Sequence, residues 1–416
     1  MMLKIALVGN DGRANALKWH FEKYKHEVVA FLNPPLHLII ERSPFDLIIL
    51  VNVEDSANGL QKKLVDAFGS RRVFACNKEA ARFETDKAHG LDVATRYDLN
   101  IPQSIFIGQI WHLSDIKNAT ERIKKEISGN RYVIKKTGLA CGQGVKIVRG
   151  NRELNMFLKL WNGYSVIVQE YKEGIEISGR VLCQQGNIIP LWMTMEHKRA
   201  FNDDRGPFVA EMGTVVLAGV GESILNEIKK LEPWLRKVNY TGMLDINFIM
   251  DEKGKLWFVE PTCRWGDPET EIAIPMFDCD FAEIALKACR GEEIIESDIT
   301  FINRAAVGVV IAGGGYPYKN ACLQGMPIEI PDQEYPYVFP MNTNTKEDGQ
   351  LVTKGGRHLV VVGTGQTVEQ ARSDAYRMAR SNYWFLDAWY RTDIGEKWDR
   401  QKHFLIEHEA IGKDFE

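Results

Sequence analysis

The chain has 416 residues, 45% of them hydrophobic and 26% charged, with a formal net charge of −4. That length exceeds one ordinary core, so roughly two to four domains are expected, and the charge gives no reason to expect a nucleic acid or an anionic membrane as partner. Seven cysteines without a Cys-x-x-Cys pair argue against a disulfide frame or a zinc site; with no apolar run of membrane-spanning length and no signal-peptide layout at the start, the expected location is cytoplasmic.

Residues 3–8 read as an apolar strand, followed by Gly9-Asn10-Asp11-Gly12-Arg13 and a helical pattern from Ala14 to Tyr24. Strands at 27–31, 46–52 and 72–75 and a helix near 58–68 continue the alternation, which implies a small parallel, doubly wound sheet over residues 1–100. The glycine turn sits where such sheets bind phosphate on a helix N-terminus, but it lacks the full Gly-x-Gly-x-x-Gly and also serves simply as a turn. Residues 78–100 read as helices. Next, Tyr132-Val-Ile-Lys-Lys-Thr-Gly-Leu-Ala-Cys-Gly-Gln-Gly-Val-Lys-Ile-Val148 places two strand-like runs around a loop holding Gly138, Gly142 and Gly144. Such a loop is either a plain hairpin or a flap whose N–H groups fold over a polyphosphate, and Lys135 inside the first run favours a phosphate contact.

Strands at 164–171 and 175–182 follow, with Glu170 closing one and Glu176 opening the other. Residues 196–207, a dense polar loop, suit an anionic or amino-acid ligand or a solvated excursion. A helix at 223–238 precedes a hairpin, Met243 to Met250 and Lys255 to Val259, turned by Asp251-Glu252-Lys253-Gly254. The pairing would set Asp245 and Asn247 on one face near Glu260, beside Arg264, Asp267 and Glu269. These oxygen donors suit a hard cation such as Mg²⁺, or they form the solvated face of a hairpin. A helix at 281–290, a strand at 305–312, short strands over 325–361 and a helix at 369–382 complete a last part that reads as a separate α+β domain from about 298.

A lysine strand with a glycine flap, a glutamate hinge and a carboxylate hairpin together fit the ATP-grasp arrangement, in which two β-rich lobes clasp ATP. The resemblance goes further. Lys135 to Val145 resembles the Lys-Ala-Asp-Gly-Leu-Ala-Ala-Gly-Lys-Gly-Val loop of the phosphoribosylamine–glycine ligase (glycinamide ribonucleotide synthetase) family. His197-Lys198-Arg199-Ala200-Phe201, Asp204-Arg205-Gly206-Pro207 and Met212-Gly213 resemble its next signature, and Tyr240-Thr241-Gly242 and Cys263-Arg264-Trp265-Gly266-Asp267-Pro268-Glu269-Thr270 are nearly its own. Gly314-Gly315-Tyr316-Pro317, Val352-Thr353 with Gly355-Gly356-Arg357, and Arg391-Thr392-Asp393-Ile394-Gly395 continue the match to the end.

The resemblance implies an α/β and α+β protein: a doubly wound N-terminal domain (1–100), an ATP-grasp small lobe with the flap (101–180), a large lobe with the metal hairpin (181–297) and a C-terminal α+β domain (298–416). It implies an ATP-dependent carboxylate–amine ligase working through an acyl phosphate, with ATP and Mg²⁺ or Mn²⁺ as cofactors. The partners implied are small molecules, an amino acid and an amine, and the chain would be a monomer or homodimer. Lys87, Lys135, Gly138, Gly142, Gly144, Glu170 and Glu176 would bind ATP. His197, Lys198, Arg199, Asp204, Arg264, Gly266, Asp267 and Arg357 would bind substrate, with Asp204 on an amino-acid ammonium. Arg264, Asp267 and Lys135 would be catalytic by charge neutralisation and positioning. Glu260 would hold metal, with Asp245, Asn247 or Thr262 beside it.

The departures fall in the metal strand, the flap and the first domain. The metal strand ends Glu260-Pro261-Thr262 where the family has Glu-Phe-Asn, and Gln143 stands where the flap has lysine. The first domain lacks the family's Pro-Gly-Asn-x-Gly-Thr loop and has Asn52-Val53-Glu54-Asp55-Ser56-Ala57 in place of Gly-Pro-Glu-x-Pro-Leu. That domain helps the family bind the sugar phosphate, so the expectation is a ligase with an altered acceptor amine. The orthodox phosphoribosylamine reaction and a nucleotide-binding protein without catalysis are the alternatives.

Overall fold

The structure, a computed structural model, describes residues 2–9, 11–32, 34–109, 112–138, 144–318, 323–331, 335–381 and 384–415. The first strand, β1 (Lys4–Val8), is almost wholly buried, as a strand covered on both faces must be. It pairs in parallel with β2 (Glu27–Phe31) and β3 (Leu47–Leu50), and β3 pairs with β4 (Val73–Phe74), giving the order β2-β1-β3-β4. The helix Gly12–Lys23 begins directly after β1 because Asp11 caps it, accepting from the backbone N–H groups of Arg13 and Ala14. Asn77 and Asp86 start the helices Lys78–Thr85 and Lys87–Arg96 in the same way.

The small lobe is an antiparallel sheet of β5 (Ser104–Ile107), β6 (Arg131–Lys136), β7 (Val145–Arg149) and β8 (Val166–Glu170), in the order β5-β8-β6-β7. It has its own core, with Ile123 and Leu154 from its helices packed on Ile105, Tyr132, Ile134 and Val168.

The large sheet is built on β9 (Ile175–Gln184), β10 (Asn187–Glu196), β13 (Gly213–Ala218), β14 (Gly242–Met250) and β15 (Leu256–Thr262). Between β10 and β13 lies a small hairpin of β11 (Arg199–Phe201) and β12 (Arg205–Phe208). The strands β16 (Ala305–Ala312), β17 (Tyr337–Pro340) and β20 (Arg357–Gly365) extend the same sheet to eight strands, in the order β15-β14-β9-β10-β13-β16-β20-β17. A further pair, β18 (Thr343–Thr345) and β19 (Leu351–Thr353), stands apart from it.

Three expectations change here. The sheet does not stop at residue 298: β16 is buried at every position and pairs β13 on one side and β20 on the other. Strand β9 belongs to the large sheet from Ile175, ahead of the division expected at 180. The helix expected at 223–238 is two, Glu222–Lys229 and Glu232–Lys237, with Pro233 accommodated in the first turn of the second. No helix among the described residues is long and apolar enough to cross a membrane.

Candidate active site

The register of the large sheet makes one row of polar side chains. Glu260 lies opposite Asn247 and Thr262 opposite Asp245. On the other side of β14, Asp245 faces Arg180 and Asn247 faces Ser178. Ser178 then faces Thr194, and Glu196 faces Thr214. Directly paired residues share a face, so five strands carry this row, while alternate positions such as Ile177, Val181, Met193, Val215, Ile246 and Phe248 fill the core behind it.

The small lobe reaches this row through Lys135, whose ammonium donates to the Val259 carbonyl at 3.2 Å. Lys87 approaches from the helix below, its Nζ 3.8 Å from Glu260 Oε2, while its backbone N–H bonds the Thr137 carbonyl at the base of the flap. Burial pushes the Lys135 ammonium down to about 8, against the pull of Glu260. For Glu260 burial acts upward, but Lys87, Lys198 and Lys135 outweigh it and hold the carboxyl below its ordinary value. The third cation, Lys198, sits 2.9 Å from Glu176 and 2.7 Å from Glu196 and also donates to Asn247 Oδ1. It stays charged: burial opposes that, and the surrounding carboxylates, Glu176 first, overcome it.

Arg264 is set by two acceptors. Its Nε donates to Glu84 Oε1 at 3.0 Å and its Nη1 to the Trp265 carbonyl at 2.9 Å. Glu84 Oε2 takes the Cys263 N–H at 2.6 Å, so one carboxylate fixes both the chain and the guanidinium. Below it, the fully buried Arg180 donates to the Arg264 carbonyl at 2.8 Å and lies 3.7 Å from Asp245 and 3.5 Å from Glu269. Carboxylate oxygens of Glu196, Asp245 and Glu269 come within 4.8 Å of one another. Burial raises Asp245 to about 7 despite Arg180, with Glu196 and Glu269 adding to the rise. Gly266 is a glycine because a Cβ there would run into Arg180 Nη2 and Glu269.

Two domain models of one family match the chain, the phosphoribosylglycinamide synthetase ATP-grasp (A) domain over residues 86–270 and the C domain of the same synthetase over residues 306–397, together more than half of its length. The chain belongs to the phosphoribosylglycinamide synthetase family. The phosphoribosylamine–glycine ligases of Escherichia coli O157:H7 and Vibrio cholerae are each 28% identical to it, over 94% of this chain and 98% of theirs. The crystal structure of the Thermotoga maritima phosphoribosylamine–glycine ligase is 26% identical with a TM-score of 0.79, covering 94% of this chain and 100% of its own. The biotin carboxylase domain of the Hydrogenobacter thermophilus 2-oxoglutarate carboxylase, at 16% identity and a TM-score of 0.69, shares the ATP-grasp fold over 97% of this chain and 98% of its own. As a member of the synthetase family the chain is an ATP-dependent ligase that forms a carbon–nitrogen bond.

Within this synthetase fold Lys87, Lys135, Glu176, Lys198, Asp245, Asn247, Glu260, Thr262, Arg264 and Gly266 gather on or beside the polar row. Asp267 joins through Arg357, whose Nη2 donates to it at 2.8 Å. Glu170 stands at the hinge, paired with Lys172 at 2.8 Å. Gly138 and Gly144 bound the flap, and Gly142 lies outside the described residues.

The polar segment 196–207 is corrected in three places. His197 is buried, accepts the Gly395 N–H at 3.3 Å, and is kept neutral by burial and by Lys397 and Arg391, down to about 3. Arg199 lies over the Phe208 ring and donates to the Gly206 carbonyl at 2.9 Å. Asp204, expected on an ammonium, is held by Arg391 at 3.1 Å and by Lys397. His197 and Asp204 tie this segment to the C-terminal segment, the Arg199 side chain stays within the hairpin, and Glu196 and Lys198 turn into the row. Asn247 accepts from Lys198 at its amide oxygen and donates from its amide nitrogen to Asp245 at 2.9 Å, which braces the row. Sequence reasoning missed Glu84, Arg180 and Glu196. Arg180 carried a usable signal, a lone arginine inside an apolar strand, since a buried charge requires a partner.

Proposed function

We propose that the chain activates the carboxylate of an amino acid such as glycine as an acyl phosphate and transfers the acyl group to an amine. The observation that carries this reading is the meeting of Lys87, Lys135 and Arg264 around Glu260, from three separate parts of the fold. Lys87 and Lys135 take the ATP phosphates, and Glu176 and Glu170 border the nucleotide at the hinge. The oxygen donors of the row suit a hard divalent cation: Asp245 Oδ1 and Glu269 Oε2 are buried and lack hydrogen-bond partners. Glu260 would hold Mg²⁺ or Mn²⁺ at the edge of the row, with Asp245 and Thr262 beside it, and the ion would supply charge neutralisation at the transferring phosphate.

In the first step a carboxylate oxygen attacks the γ-phosphorus and ADP leaves. In the second the amine nitrogen attacks the acyl carbon, the bond to phosphate breaks, phosphate departs with the electron pair, and the nitrogen loses a proton. Arg264, already oriented by Glu84, faces the oxyanion of both steps. The chain supplies no nucleophile; it positions and neutralises.

A panel assay tests the reading. Phosphate release is measured with Mg-ATP and each of several amino acids, with and without phosphoribosylamine or another amine. Release that needs both an amino acid and an amine is the expected result. Release independent of both, or none with any pair, removes the ligase assignment. Dependence on phosphoribosylamine would support the second reading, the reaction in the names of the relatives.

A further inference from the structure

Lys198 lies in the short link between β10 and β11, and the residues on both sides of it are held by a distant part of the chain. On one side His197 accepts the N–H of Gly395 at 3.3 Å. On the other the Arg199 carbonyl accepts from Arg391 Nη1 at 2.9 Å. The tip of the small hairpin is gripped as well. Asn202 exchanges two hydrogen bonds with Thr392, and the Asp203 N–H donates to Asp393 at 2.9 Å, 190 positions further along the chain. Residues 391–395 thus form a clamp that closes on residues 197–204.

Arg391 is the centre of the clamp. Its guanidinium is fully buried and every nitrogen donates: Nε and Nη2 to the Asp393 carboxylate at 2.8 and 2.7 Å, Nη1 to the Arg199 carbonyl and to Asp204 at 3.1 Å. Lys397 braces the other oxygen of Asp204, and Tyr376 donates to the Arg391 carbonyl at 2.9 Å. A planar group with five donors can meet these acceptors together, and an ammonium cannot. Between the two held residues Lys198 reaches into the row, 2.9 Å from Glu176 on β9 and 2.7 Å from Glu196 on β10, and it donates to Asn247 on β14. Ordering a long lysine stem costs rotamer entropy, and a backbone fixed on both sides leaves only the stem to be ordered.

We infer that Arg391 is a positioning residue of the active site: it holds the backbone beside Lys198, so that one ammonium joins Glu176 at the nucleotide edge to Glu196 in the polar row. The inference rests on the ligase reading above, in which Glu176 borders the nucleotide, and it adds a control on that border from the C-terminal part of the chain. Without the clamp β10 and β13 still pair in the large sheet, but Lys198 is free to swing away from either carboxylate.

Chemical labelling reads the setting of Lys198 without nucleotide or turnover. The full chain is pulsed with acetic anhydride, and acetylation of each lysine is followed by mass spectrometry in the wild type and in Arg391→Lys. Lys198 should label about tenfold faster or more in the variant, while Lys135, itself buried in the small lobe, stays within about twofold. An unchanged rate at Lys198 overturns the inference. So does a rise that Lys135 shares, which would mean that the segment only holds the fold together. Asp204→Asn, which removes one arm of the clamp and leaves Arg391 in place, carries the same comparison with the same criteria if the first variant does not fold. Calorimetric titration with Mg-ADP joins the setting to function. Arg391→Lys should weaken ADP about tenfold, and the same change should add nothing in a Lys198→Met background. Equal losses in both backgrounds overturn the inference. A wild type that binds no ADP removes the ligase reading and the active-site role with it, whereas the labelling still decides whether the clamp sets Lys198.

Discussion

Replacing Arg264 by lysine should lower turnover by about 10²–10³-fold while ATP still binds. The guanidinium is held in place by Glu84 at Nε and by the Trp265 carbonyl at Nη1, and the same Glu84 carboxylate takes the Cys263 N–H. An ammonium is a compact point charge on a flexible stem and cannot meet both acceptors while presenting a planar donor edge to an oxyanion. Its positive charge survives the change, so Glu84 keeps a counter-charge and the fold should stand. The loss should therefore appear in kcat, with the affinity for a non-hydrolysable ATP analogue little altered. Wild-type kinetics in Arg264→Lys would remove the oxyanion role.

Arg180→Met should be the most destabilising single change in the row, by about 3–5 kcal/mol near neutral pH. Arg180 lies within 3.7 Å of Asp245 and 3.5 Å of Glu269, all three are buried, and methionine removes the arginine from both carboxyls. The cost should shrink in acid, because carboxyls that bind protons no longer need the arginine. The sign for Asp245 follows from its values. Its native pKa of about 7 stands above the ordinary 3.8, so the folded chain holds a proton that the unfolded chain releases. The stabilisation from this group is complete below 3.8 and is lost as pH rises through about 7. Thermal melting of the wild type and of Arg180→Met at about pH 5 and about pH 8 checks this. The gap between them should widen at the higher pH; equal melting temperatures at both would show that the cluster does not depend on its arginine.

Much of the fold is legible in the residues because its signals are local. The apolar run of β1 with Asp11 as cap, the turn at Asp251-Glu252-Lys253-Gly254 and the Cys263–Thr270 signature each speak for themselves within a few residues. The pairing of Asp245 and Asn247 with Thr262 and Glu260 also follows from hairpin alternation alone. What escapes is set by register between strands distant in sequence. Nothing near Glu84 tells that it will orient Arg264, 180 positions away. Glu196 is the last residue of a strand until Lys198 folds back on it and Asp245 comes alongside. The continuity of the large sheet past residue 298 has the same cause: an apolar strand such as Ala305–Ala312 announces burial but not its neighbours. The polar segment 196–207 misleads for a physical reason too. Charges that suit a ligand suit a buried ion pair equally well, and here Arg391 and Lys397 are the partners of Asp204.

The central claim is that an amino-acid carboxylate takes the γ-phosphate of ATP before any amine attacks. It is reached most directly by positional isotope exchange with ATP labelled with ¹⁸O in the β–γ bridge. With Mg²⁺ and the amino acid present and no amine, the bridge label should scramble into the β non-bridging positions, because ADP formed beside the acyl phosphate rotates before the step reverses. Omitting the amino acid should abolish the scrambling. Scrambling that ignores the amino acid, or a bridge that stays intact in the presence of every amino acid that supports turnover, would contradict the acyl-phosphate route.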